Sequence, residues 1–92
     1  MLTTTKPVVL RLSFVEQTAS EAVAFWEPDR SGEYEVACAR GRDYADELLS
    51  YIRDEQNPTI FGSVVRAITA GGIYGAVEIG FCNRIGIQLL GL

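Results

Sequence analysis

From Leu10 onward the chain alternates, with Leu10, Leu12 and Phe14 on one side and Arg11 and Ser13 on the other. Alternation over residues 8–15, in side chains of this type, is the period of a half-buried strand, and Pro7 suits its start. Residues 22–27 and 33–40 flank Pro28-Asp29-Arg30-Ser31-Gly32, a cluster of strong turn formers. Tyr34, Val36 and Cys38 alternate with Glu35, Ala37 and Ala39. The pattern predicts a hairpin of strands over 21–27 and 33–40, which completes a three-stranded antiparallel meander within the first forty residues. A competing reading starts from Thr18-Ala19-Ser20-Glu21, whose capping-box spacing opens a short helix through Trp26.

The period changes after Arg42. Ala45, Leu48, Leu49 and Ile52 recur at i, i+3, i+4 and i+7, the single apolar stripe of an amphipathic helix. Asp43 is placed to cap its start, with Asp46 and Glu47 near the positive end of the helix dipole. Asn57-Pro58 restarts the chain with a capping residue and a proline at the first helical position, where its missing N–H costs nothing. Phe61, Val64, Val65 and Ile68 form a second stripe, and Gly71-Gly72 supplies a stop. Helices are expected near 43–55 and 58–70.

In the tail, Val77, Ile79, Phe81, Ile85, Ile87 and Leu89 hold odd positions, while Glu78, Gly80, Arg84, Gly86 and Gln88 hold even ones. That is strand periodicity, and each glycine weakens a helix by about 1 kcal/mol relative to alanine. Val77, Phe81, Ile85 and Leu89 are also spaced at i+4, which a helix tolerates. The strand reading is preferred, bent or hairpinned at Asn83-Arg84. The expected fold is then α+β: a small antiparallel sheet, made of the N-terminal three-stranded meander and a C-terminal strand, with two helices packed on one face.

Ninety-two residues fit one domain, 1–92, yet 48% of them are hydrophobic, at the upper end for a soluble protein. The surplus is concentrated between Phe61 and Leu92 and is available to cover a partner or a second copy. Residues 1–7 lack the charged and apolar regions of a secretory leader, and the apolar runs are broken well short of a membrane span. A cytoplasmic protein is expected. Cys38 and Cys82 are then expected as reduced thiols.

Charge is divided unevenly. Glu16, Glu21, Glu27, Asp29, Glu33, Glu35, Asp43, Asp46, Glu47, Asp54 and Glu55 lie between positions 16 and 55, against four arginines. The rest carries Lys6, Arg11, Arg66 and Arg84 against Glu78, for a net charge of −4. An acidic half attracts basic surfaces and repels nucleic acid. There is no histidine, so the usual activation of a serine or cysteine nucleophile is missing, and two cysteines supply too few ligands for zinc. Gly71-Gly72-Ile73-Tyr74-Gly75 lacks the dinucleotide fingerprint and the phosphate-loop lysine. Neither a catalytic residue, a metal site nor a cofactor is therefore expected, and direct contact with nucleic acid or a membrane is not.

What remains is binding. Trp26 stands among Glu27, Asp29 and Glu33, an aromatic anchor with an acidic rim, and Tyr34 and Tyr44 extend the patch. Glu33 and Glu35 share a face of the expected hairpin, and Asp43, Asp46 and Glu47 share a helical turn. Asp54 and Glu55 oppose the dipole at the end of the first helix, which hints at an outside partner. These twelve residues form the candidate partner-binding set, and the expected partner is a protein with a basic surface.

The acidic stretch 16–55, the compact length and the α+β pattern resemble the small acidic inhibitors encoded by phages and mobile elements, notably anti-CRISPR proteins. The resemblance is one of class and matches no motif, so no functional residue is carried over. It implies a CRISPR effector subunit as partner, in a bacterial host cell, with its nucleic-acid-binding surface blocked. The alternative is a homo-oligomeric accessory or ligand-binding domain, a homodimer in its simplest form, built on the apolar surplus.

Overall fold

The computed structural model describes residues 8–20 and 22–91. Residues 1–7, with Pro7 as a strand start and the reading of the N-terminus, and Glu21, which opened the expected second strand and closed the capping box, lie outside them. A short 3-10 turn, Val8–Arg11, leads into β1 (Glu16–Gln17), which pairs antiparallel with β2 (Val23–Ala24). Three helices follow: α1 (Tyr34–Glu55), α2 (Thr59–Gly71) and α3 (Ala76–Leu89). The fold is mostly helical, which overturns the expected α+β sheet with two covering helices.

Of the three-stranded meander, only a two-residue ladder is present among the described residues, with Glu16 opposite Ala24 and Gln17 opposite Val23. The sidedness of the opening segment nevertheless follows its alternation. Leu12 and Phe14 are buried and Leu10 half-buried, while Arg11 and Ser13 face solvent. The backbone there is not paired as a strand; it is pinned locally, by Val15 N–H to the Leu12 carbonyl at 3.2 Å and by Glu27 N–H to the Phe14 carbonyl at 2.7 Å.

Residues 34–40, expected as a strand, are the first two turns of α1. Tyr34 and Val36, which suggested the alternation, are the exposed residues, at 61% and 50%. Ala37 and Cys38 are adjacent and both buried, which a strand cannot arrange because neighbouring side chains point to opposite faces. With Gly41, Tyr44, Ala45, Leu48 and Tyr51 they form one continuous helical stripe. The extra turns place Asp43 in mid-helix, so it caps nothing. The cap position belongs to Glu33, and Glu35 is the acid of the first turn. α1 stops at Gln56, in the left-handed conformation at φ 53°, whose N–H returns to the Ile52 carbonyl. At α2 the cap position is held by Pro58 rather than Asn57, and Gly72 (φ 70°) ends the helix.

The tail is a helix, and its glycines explain why. α1 and α3 cross at Gly41 and Gly80. A Cβ on Gly80 would overlap the Cys38 carbonyl oxygen, and one on Gly41 would overlap the Val77 carbonyl and come within 2.8 Å of the Phe81 nitrogen. The glycines cost helix propensity but allow two backbones to touch, and the buried surface around them outweighs that cost. Phe14 sits at the centre of the resulting core, its ring centroid 5.2 Å from those of both Trp26 and Tyr44 and 6.1 Å from that of Phe81. Leu48, Val64 and Val77 close around this aromatic group.

Candidate functional site

The first turn of α3 organises the loop that carries Trp26, Glu27, Asp29 and Glu33 of the expected binding set. Gly75 N–H donates to Glu78 Oε1 at 2.9 Å, so Glu78 satisfies one of the free amides at the helix start. Glu78 has no exposed surface. Arg30 donates to it through both terminal nitrogens, Nη1 to Oε1 at 2.9 Å and Nη2 to Oε2 at 2.5 Å, and Trp26 Nε1 donates to Oε2 at 2.8 Å. Each carboxylate oxygen therefore accepts two hydrogen bonds. Burial alone would raise the pKa of Glu78, but the bonds from Arg30, Trp26 and the backbone more than reverse it, holding the group at about 2. The same contact raises the pKa of Arg30.

The loop is fastened on its other side by α1. Arg40 Nη1 donates to the carbonyls of Asp29 at 3.0 Å and Ser31 at 2.7 Å, and Asp29 N–H donates to the Tyr44 hydroxyl at 3.1 Å. Hydrogen bonds from Ser31 hold the Asp29 carboxyl below its ordinary range. Trp26 and Tyr44 are thus core residues at 8% and 5% exposure, and the aromatic anchor with an acidic rim does not exist as a surface. Tyr34 alone of the three aromatics is exposed, with Glu27, Glu33 and Glu35 also at the surface around this end of α1. Glu33 and Glu35 sit at the positive end of the α1 dipole, where negative charge is stabilised.

The remaining acids divide into two groups along the outward side of α1. Asp43, Asp46 and Glu47 border one shallow hollow with Arg11, Leu12 and Ser50. Glu47 is committed to the fold, since its Oε1 accepts the Ser13 N–H at 2.8 Å, and Asp46 lies 3.2 Å from Arg84 Nε. Asp43 makes no ion pair among the described residues. Farther along, Arg11 reaches Asp54 at 3.3 Å and Glu55 at 3.9 Å. The two acids that hinted at an outside partner are therefore engaged by an arginine of the chain itself. Among the described residues, no three Asp, Glu or Cys side chains converge to hold a metal ion.

A second concavity, apolar in character, lies elsewhere. α2 is docked on the core by Ile60 and Val64 but packs on α1 far less extensively than α3 does, and between α2 and α3 runs a groove of about 580 Å³. Its walls include Phe61, Val65, Ile73, Tyr74, Ile85 and Leu89, and among the described residues no charged one lines it. Tyr74 and Cys82 provide polar atoms, and a hydrogen bond with Cys82 raises the Tyr74 pKa. The groove flanks the α1 contact on α3: Val77, Gly80 and Arg84 face α1, Cys82, Gly86 and Leu89 line the groove, and Phe81 borders both.

Sequence reasoning placed the apolar surplus in the correct third of the chain without resolving it into two walls. It missed Glu78, which strand alternation assigned to a solvent face. The available signal was a helix-start spacing, an acid three residues after Gly75. Cys38 is buried and Cys82 exposed, both as free thiols. Among the described residues no helix is long and apolar enough to cross a membrane. Comparison with known proteins gives no relative: neither a family model, nor a curated protein, nor a solved structure matches this chain.

Proposed function

We propose that this chain is a non-catalytic protein-binding module that occupies a basic, nucleic-acid-binding surface of another protein. A CRISPR effector subunit in the cytoplasm of a bacterial cell is the target suggested by the class resemblance. The observation that carries the reading is the outward side of α1, where Asp43, Asp46 and Glu47 border one hollow and Asp54 continues the charge along the same helix. Asp43, Glu33 and Glu35 have no ion-pair partner among the described residues, so they are available to outside cations. A negative surface of this kind acts first on the association rate and on partner choice.

The contacts differ from those expected at the outset, because Trp26 and Tyr44 are withdrawn into the core. Binding then rests on charge and on the exposed Tyr34 and Val36 at the start of α1. The test is association of the protein with assembled effector complexes, measured by biolayer interferometry at low and high salt with competing nucleic acid. Reversing Asp43 and Asp54 together (D43K/D54K) is expected to slow association by about tenfold at low salt. Binding indifferent to both salt and charge reversal, or none to any effector sampled, refutes the reading.

A further inference from the structure

We infer that the groove between α2 and α3 is the seat of a second copy of this chain, with α2 of each copy lying against α3 of the other. The occupant must match what the walls offer, and the walls offer no charge over their whole length. At 1.5 Å per residue α2 and α3 are each about 20 Å long, so the complementary surface is an uncharged apolar helix face of similar extent. Phe61 and Val65, exposed at 37% and 42% along the groove side of α2, form such a face. Because the contact pairs one patch with the same patch, it closes as a twofold dimer instead of propagating.

Gly86 marks where a helix can come close. It lies in the groove wall, and a Cβ built there meets nothing within 4 Å. Within the chain, the corresponding bare positions at Gly41 and Gly80 are where α1 and α3 bring their backbones into contact. Gly86, about 120° around α3 from Gly80, presents a similar bare position with nothing packed against it.

Charge also favours a second copy. A chain of net charge −4 repels itself unless its acids are kept apart. No residue of α1 lines the groove, so two copies meeting there bring together α2 and α3, whose charges are only Arg66, Arg84 and the buried Glu78. The area sets the strength. Two helices of about 10 Å diameter and 20 Å length present roughly 400 Å² of projected face per copy, below the ~800 Å² per partner of a standard interface. The dimer is accordingly weak and concentration-dependent.

Sedimentation equilibrium of the intact chain over a wide concentration range is the test. The weight-average mass should rise from 10.1 kDa towards twice that value, and added salt should leave the rise intact because no charges meet. Gly86→Arg and, separately, Leu89→Lys should raise the dissociation constant by about tenfold or more. Both positions are exposed, so thermal melts of these variants should show folded monomers as stable as the parent. Asp43→Lys should leave the dimer unchanged. A wild-type protein that stays monomeric throughout, or a dimer that survives both groove variants, overturns the inference. A monomer whose groove instead takes an apolar helical peptide overturns it as well. None of these results touches the acidic surface, whose own test is the charge-reversal series.

Discussion

Replacing Glu78 with glutamine keeps the shape of the side chain and removes its charge, which isolates what the buried carboxylate contributes. Its pKa of about 2 in the folded protein lies below the ordinary 4.5 of the unfolded chain. Between those values the unfolded state binds one more proton, so stability falls as the pH falls, by about 1.4 kcal/mol per pH unit. Over roughly two and a half units the loss comes to about 3–4 kcal/mol, a contribution present above about pH 4.5 and lost towards pH 2. At neutral pH the E78Q variant should therefore be about 3 kcal/mol less stable. This is the low end for breaking a buried ion pair, because the half-exposed Arg30 can return to water. Guanidinium denaturation followed by the fluorescence of Trp26, the only tryptophan, reads the effect beside its source. The wild-type curve of stability against pH should drop steeply below pH 4.5, and the E78Q curve should be flatter there by the contribution of one carboxyl. A variant that loses less than about 1 kcal/mol and keeps the wild-type slope would falsify the account of Glu78 as the anchor of the loop.

One glycine on α3 and one on α2 separate close packing from helix propensity. Gly80→Ala should cost more than about 2 kcal/mol despite the better propensity of alanine, because its Cβ meets the Cys38 carbonyl. Gly62→Ala, where nothing lies within 4 Å, should gain up to about 1 kcal/mol; thermal melts of the pair should move in opposite directions. The two thiols differ in access. A thiol reagent should label one cysteine per native chain, Cys82, and reach Cys38 only on unfolding; Cys82→Ser should remove the fast phase. Concentrating the protein should slow that phase if the groove is covered by a second copy.

The helical stripes of the middle were legible because Leu48, Leu49 and Ile52, and Phe61, Val64 and Ile68, repeat at a period that no strand can bury on one face. The ends of the chain misled for a common reason. The larger apolar residues hold the even positions in 34–40 and the odd positions in 77–89, so in both the alternation suggests a strand. The residues that decide the matter are small: Gly41 and Gly80 count as helix-weakening in isolation and become favourable only once a second helix lies against them. That is information about tertiary contact, and no local window contains it. The acids illustrate the same limit. Their density along the chain was visible, whereas the engagement of Asp54 by Arg11, 43 residues away, and of Asp46 by Arg84 was not. Trp26 was singled out by its acidic neighbours in sequence, yet the carboxylate that matters to it is Glu78, 52 positions distant.

That separation bears on the order in which the molecule assembles. α1 and α2 are made of contacts near in sequence and need nothing else to begin forming, whereas the seat of Trp26 and Arg30 exists only after the last helix has come back across the chain. Closing a loop of about fifty residues costs roughly 3–4 kcal/mol of chain entropy. The segment between β2 and α1 should accordingly be among the last parts to settle. A ribosome releasing this chain must finish α3 before the loop near residue 30 has its carboxylate to hold, so the early part of the sequence waits on the late part for its final shape.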